Sequence, residues 1–179
     1  MKNYRILAGP AMFLLAAGSL MIPTALRAAD SPEITKLLTD AKAEAVELKA
    51  DSDDMESFTR STMTWRGYGS QLEMIKGHVN NAGKLLAKLK DAEATGSAWQ
   101  QTAIKRIQPL LQELADNTTA TINHLNDNQS KVHMPAFTDY VKANAELATD
   151  LEALIRDFVN YGSAKEKFKS LGSKLEVHS

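Results

Sequence analysis

From Ser31 to Leu175 apolar residues recur at alternating steps of three and four, a spacing that only helices packed along a seam require. Four such runs can be traced. The first takes Ile34, Leu38, Ala41, Ala45, Leu48, Ser52, Met55, Thr59 and Thr62, with Phe58 beside it. The second takes Trp65, Tyr68, Leu72, Ile75, Val79, Ala82, Leu86 and Leu89. The third takes Ile104, Ile107, Leu111, Leu114, Thr118, Thr121, Leu125 and Asn128, and the fourth takes Phe137, Tyr140, Asn144, Leu147, Leu151, Leu154, Phe158 and Tyr161.

Boundary signals fall between the runs. Ser31-Pro32 reads as a cap followed by proline in the first turn, and Ser97 with Gln100 three residues on is a capping box. Gly96 precedes that box as a helix stop, and Pro135 opens the fourth run after a polar stretch. Pro109 lies on the outward face of the third run and is read as a kink rather than an end. An alternative first break at Asp51 to Asp53 is less attractive than a turn near Met63, which gives four rods of about 30 residues, roughly 45 Å each. The expected fold is therefore all-α: an antiparallel, up-down-up-down four-helix bundle with left-handed, coiled-coil-like seams. Its helices are expected at about 31–62, 65–93, 97–130 and 135–161, with an amphipathic C-terminal extension over 164–176.

Folding neighbours antiparallel about these turns stacks Leu48, Val79, Leu114 and Leu151 in one aliphatic layer, with Ala45, Ala82, Leu111 and Leu154 in the next. Ala41, Leu86, Ile107 and Phe158 follow, then Leu38, Leu89, Ile104 and Tyr161. The other half differs in kind. Its layers are Ser52, Ile75, Thr118 and Leu147; Met55, Leu72, Thr121 and Asn144; Phe58, Tyr68, Leu125 and Tyr140; and Thr62, Trp65, Asn128 and Phe137.

Residues 1–28 precede the bundle, with Lys2 and Arg5 ahead of an apolar run from Ile6 to Ile22 and small residues ending at Ala28-Ala29. This is the layout of a secretory signal peptide, and Gly9, Pro10, Gly18 and Ser19 make the run a poor membrane span. A periplasmic or secreted chain cleaved near Ala28 is expected, with an uncleaved N-terminal anchor as the alternative. There is no cysteine, hence no disulfide framework and no thiolate. Removing Lys2, Arg5 and Arg27 from 21 basic residues leaves 18 against 22 acidic ones, a net charge of −4 that argues against nucleic acid or an anionic membrane as the main partner.

The chain has no Glu-x-x-His, His-Glu-x-x-His, Gly-x-Ser-x-Gly, phosphate-loop or Cys-x-x-Cys-His motif. No catalytic residue, metal site or cofactor is assigned. His78 and His124 flank seam positions, where solvation is the ordinary fate of a histidine. Met55 with His124 would supply the ligand types of the periplasmic b-type four-helix cytochromes, which the chain resembles in architecture and ligand chemistry alone; that resemblance implies non-covalent haem as an alternative cargo.

One region invites a ligand. Thr118, Thr121, Asn128 and Asn144 beneath Trp65, Tyr68, Phe137 and Tyr140 could line a cup for a small amphipathic molecule. The competing reading makes the buried amides and hydroxyls a device that fixes helix register. In "TMTWRGYGSQ", residues 62 to 71, Thr64 is a cap, and Gly67 and Gly69 let Phe58 and Tyr140 approach the second helix. A lone Arg-Gly step in an acidic chain is no nucleic-acid segment. The extension carries Phe168, Leu171 and Leu175 on one stripe among lysines, so it folds back on the bundle or docks a protein or a lipid surface. The function expected is a secreted, non-enzymatic binding or structural module, with a periplasmic carrier of a small hydrophobic ligand or haem as the alternative.

Overall fold

A computed structural model describes residues 29–175; the signal-peptide assignment at 1–28 lies outside the described residues, as do the last four positions. Four α-helices account for nearly all of it: α1 Pro32–Phe58, α2 Trp65–Ala92, α3 Ala98–Asp127 and α4 Pro135–Lys174. Among the described residues there is no strand.

Each helix starts where a cap demands it. Ser31 Oγ accepts from the Ile34 amide at 3.4 Å with Pro32 in the first turn, and Thr64 Oγ1 accepts from the Gly67 amide at 3.4 Å. Ser97 and Gln100 form the capping box of α3, and Pro135 opens α4. α3 passes through the exposed Pro109 as one helix.

α1 stops at Phe58 rather than near Thr62. The reason lies in three hydroxyls. Ser57, Thr59 and Ser61 donate to the carbonyls of Asp54, Glu56 and Phe58 at 2.7, 2.6 and 2.7 Å, and the amides of Thr59, Arg60 and Ser61 take three-residue turns. Side chains that bond their own backbone compete with the helical ladder and unwind its end. The break still falls between Phe58 and Trp65, and Asp51 to Asp53 remain inside α1.

α1 packs on α2 and α4, and α3 packs on the same two, so the four helices close a ring around one core. Leu48, Leu114 and Leu151 are fully buried and Val79 is buried, as are Ile34, Leu38, Leu89 and Ile104. Burying a leucine of this kind contributes about 1.5–3 kcal/mol.

α4 departs from its expected stripe. Val141, Ala148 and Ile155 are buried beside Phe137, Asn144 and Leu151, while Tyr140, Leu147, Leu154 and Phe158 are half-buried and Tyr161 is 54% exposed. A helix wedged between two neighbours buries an arc wider than one seam, and the extra width falls on the side of Val141 and Ile155. Nor does α4 end after Tyr161. It continues unbroken to Lys174, because Gly162 is needed as a close-packing position rather than as a stop: a Cβ there would lie 2.8 Å from Trp99 Cη2. The segment expected as a separate extension over 164–176 is the continuation of the same helix as far as it is described, and it does not fold back.

Candidate functional site

The eight residues proposed to line a cup separate into three groups. Tyr68 and Phe137 are fully buried and meet edge to face with centroids 5.0 Å apart; the Tyr68 hydroxyl donates to the Phe58 carbonyl at 2.8 Å. Burial pushes the Tyr68 phenol above its ordinary value. These rings fill the core at this end and tie the last turn of α1 to α2.

Thr118, Thr121 and Asn144 form the second group, all buried. Thr118 Oγ1 donates to Asn144 Oδ1 at 3.0 Å, Asn144 Nδ2 donates to Thr121 Oγ1 at 3.0 Å, and Thr121 Oγ1 donates to the Asn117 carbonyl at 2.7 Å. Asn117 Nδ2 then reaches the Tyr140 carbonyl at 3.1 Å. This relay joins α3 to α4 at one register. Among the described residues no buried side-chain nitrogen or oxygen lacks a partner, so every buried polar atom of the relay is bonded within the bundle.

The third group sits at the rim. Trp65 is 36% exposed, with the Arg66 guanidinium 5.2 Å from its ring centroid; Thr62 is exposed. Asn128 is half-buried at the end of α3 and donates to the His124 carbonyl at 3.1 Å. Tyr140 packs on His124 at 5.2 Å, and His124 also stacks on Phe137 at 6.2 Å. Met55 is fully buried. Gly67 accommodates the Met63 side chain, whose Cγ would lie 2.7 Å from a Cβ there, and neither Phe58 nor Tyr140 is among its near neighbours.

Two clefts on the surface of the described residues are lined by none of the eight. An open one of about 400 Å³ between α1 and α4 is lined by Asp53, Glu56, Glu146 and Asp150, and two of these carboxylates pair with Lys49 and Lys142. A small one of about 30 Å³ lies beside Trp99 and Gly162. His78 bridges α2 to α1, its Nδ1 2.6 Å from Glu44 Oε1 and its Nε2 3.4 Å from Asp51 Oδ2. Opposite ring edges face the two carboxylates, so the three groups do not converge on one point, and among the described residues no group of three or more acids and histidines is placed to hold a metal.

The densest polar cluster stands at the opposite end of the bundle. Gln100 is fully buried; its Oε1 accepts from the Ser31 and Ser97 amides at 2.9 and 3.0 Å, and its Nε2 donates to the Ser31 carbonyl at 2.9 Å and to Thr35 Oγ1 at 3.1 Å. The capping-box spacing exposes its local half, but the bonds to α1 span about seventy residues of chain and leave no local signal. Next to it Asp30 Oδ1 accepts from Trp99 Nε1 at 2.8 Å and Lys165 Nζ at 2.7 Å. Burial pushes the Asp30 carboxyl up, but the hydrogen bonds from Lys165, Ser97 and Trp99 and the Lys165 charge outweigh it and hold the group below its ordinary value. Trp99 also meets Tyr161 edge to face at 5.5 Å.

No family model matches this chain, and comparison with curated proteins and with solved structures returns no match. The four-helix, all-α class and these side-chain arrangements are therefore the ground for any functional reading.

Proposed function

We propose that this is an exported, non-enzymatic helical-bundle protein that acts by contact, as a binding or interaction module. The observation that carries the reading is α4, which runs on past its last buried residue, Gly162, and among the described residues leaves Phe168, Leu171 and Leu175 exposed. Large exposed side chains gathered on one projecting element favour association, whereas the polar groups inside the bundle are occupied with one another. The finer fold belongs to the same reading: an antiparallel up-down-up-down arrangement with left-handed seams. It is supported by the pairing of Asp51 with Gln71 and of Glu44 with His78, in which the positions on α2 rise as those on α1 fall.

Export rests on the sequence of residues 1–28, and the mass of the mature chain tests it: cleavage near Ala28 is expected, and a retained leader would replace the exported form with an anchored one. Native mass spectrometry of protein taken from the exporting cell tests the contact reading. A co-purifying partner, lost on removal of residues 164–179, is the expected result. A bound small molecule or a haem Soret band, held through Tyr68, Phe137 and Asn144, would instead make the chain a carrier.

A further inference from the structure

Beyond Lys165 no described residue buries a side chain of α4. Every residue from Ser163 to Leu175 except the half-buried Gly172 is exposed, with Phe168 and Leu175 each 71% accessible. The helix therefore projects by about twelve residues, roughly 18 Å. Its apolar side chains continue one heptad line: Tyr161, Ala164, Phe168, Leu171 and Leu175. Helical spacing sets Lys167 and Lys174 along one border of that line, Lys165 along the other with Lys169 further round, and Glu166 on the back.

The charge of this projection opposes that of the body. Residues 163–175 hold four lysines against one glutamate, net +3, whereas residues 29–162 hold 14 basic against 20 acidic side chains, net −6. Among the described residues Lys167, Lys169 and Lys174 form no ion pair. A second copy of the chain offers this stripe lysines on both flanks and none of the alternating charge that sets helix pairing.

We propose that the projecting end of α4 docks on an anionic lipid surface. This rests on the contact reading above and names its partner. An apolar line of Phe and Leu bordered on both sides by lysines, whose stems can reach up to headgroup phosphates, is the chemistry of an interfacial helix. A helix lying in the headgroup plane brings the end of the acidic body near the surface as well, so the lysines must outweigh a repulsion that salt screens beyond about one Debye length. The placement suits an interfacial helix. Asp30 is bonded to Lys165, so residues 1–28, with their apolar run from Ile6 to Ile22, join the bundle at the root of the projection.

The test is flotation of the full exported chain with phosphatidylcholine vesicles, with and without phosphatidylglycerol, at low and high salt. Binding to the phosphatidylglycerol vesicles alone, released by salt, is the expected result. Lys167→Glu with Lys169→Glu changes the charge by four units and should weaken it several hundredfold, at roughly fivefold per unit of charge. Phe168→Ser with Leu171→Ser should abolish it, and an unchanged melting curve in both variants shows that the bundle is intact. Equal binding to neutral vesicles, or no binding at all, overturns the proposal. Loss of vesicle binding with a soluble complex that still needs Lys167 and Phe168 overturns the lipid partner and leaves the contact reading standing; a dimer dissolved by the Phe168 variant does the same in favour of a second copy. No vesicle binding and no complex of any kind overturns both.

Discussion

The two ends of the bundle are closed by different means. Where residues 59–64 link α1 to α2 and residues 128–134 link α3 to α4, the end is filled by rings: Tyr68 against Phe137, with His124 and Tyr140 outside them. At the other end one connection, through Glu93 to Ser97, joins α2 to α3, while α1 begins and α4 runs on without a link between them. There the helices are fastened by side chains. Gln100 holds the start of α1 to the start of α3, and Asp30 holds Trp99 and Lys165 together. Two covalent turns at one end leave only space to be filled; at the end with one turn, directed bonds substitute for the missing link.

The largest expected difference comes from emptying the ring-filled end. Phe137→Ala should cost about 3–5 kcal/mol, read as a lowered denaturant midpoint, because a fully buried ring leaves a cavity among groups held by two turns. A smaller loss would mean that this end collapses around the gap and is less rigid than its connections suggest. Gln100→Ala should cost about 1–3 kcal/mol by leaving the buried Ser97 and half-buried Ser31 amides without their acceptor. Hydrogen exchange separates the two ends: that variant should speed exchange at the starts of α1 and α3 and leave the turn at 59–64 unchanged. Equal acceleration at both ends would erase the contrast.

Gly162→Ala should cost about 1–3 kcal/mol, since the new methyl meets the Trp99 indole, and tryptophan fluorescence should report the displaced ring. The smallest effect is expected from Asp30→Asn, because the ion pair of Asp30 with Lys165 is partly exposed. Its signature is pH dependence. Because the folded carboxyl lies below its ordinary value, its stabilisation is present above the unfolded value, near 3.8, and is lost as the pH falls through the folded one. The Asp30→Asn variant should lack that share of the acid limb; parallel acid curves for the two proteins would remove Asp30 from the fastening.

The helix count, the caps at Ser31, Thr64 and Ser97 and the burial of Leu48, Val79, Leu114 and Leu151 were legible because spacing and capping are local properties. The same holds for the grouping of Thr118, Thr121 and Asn144, whose seam positions sit one helical turn apart or face each other across one interface. What the sequence hid depends on partners far along the chain. The shift of α4 toward Val141, Ala148 and Ile155 reflects contact with two helices at once, which one-seam spacing does not encode. Tyr161 is exposed because the indole of Trp99 occupies the space over Gly162, and Trp65 lies at the rim because α1 unwinds four residues early. Gln100 looked like a capping residue and is also a bridge; only the meeting of α1 and α3 reveals the second half of its amide.

The placement of Asp30 bears on how long the protein would last once exported. The Asp30 carboxylate lies two positions before α1, so exopeptidase trimming that stops at Asp30 would spare its bonds and trimming by one residue more would release Trp99 and Lys165 together. The Gln100 amide would still grip Ser31, so slight fraying at the first turn of that helix, rather than loss of the fold, would be the earliest sign of ageing.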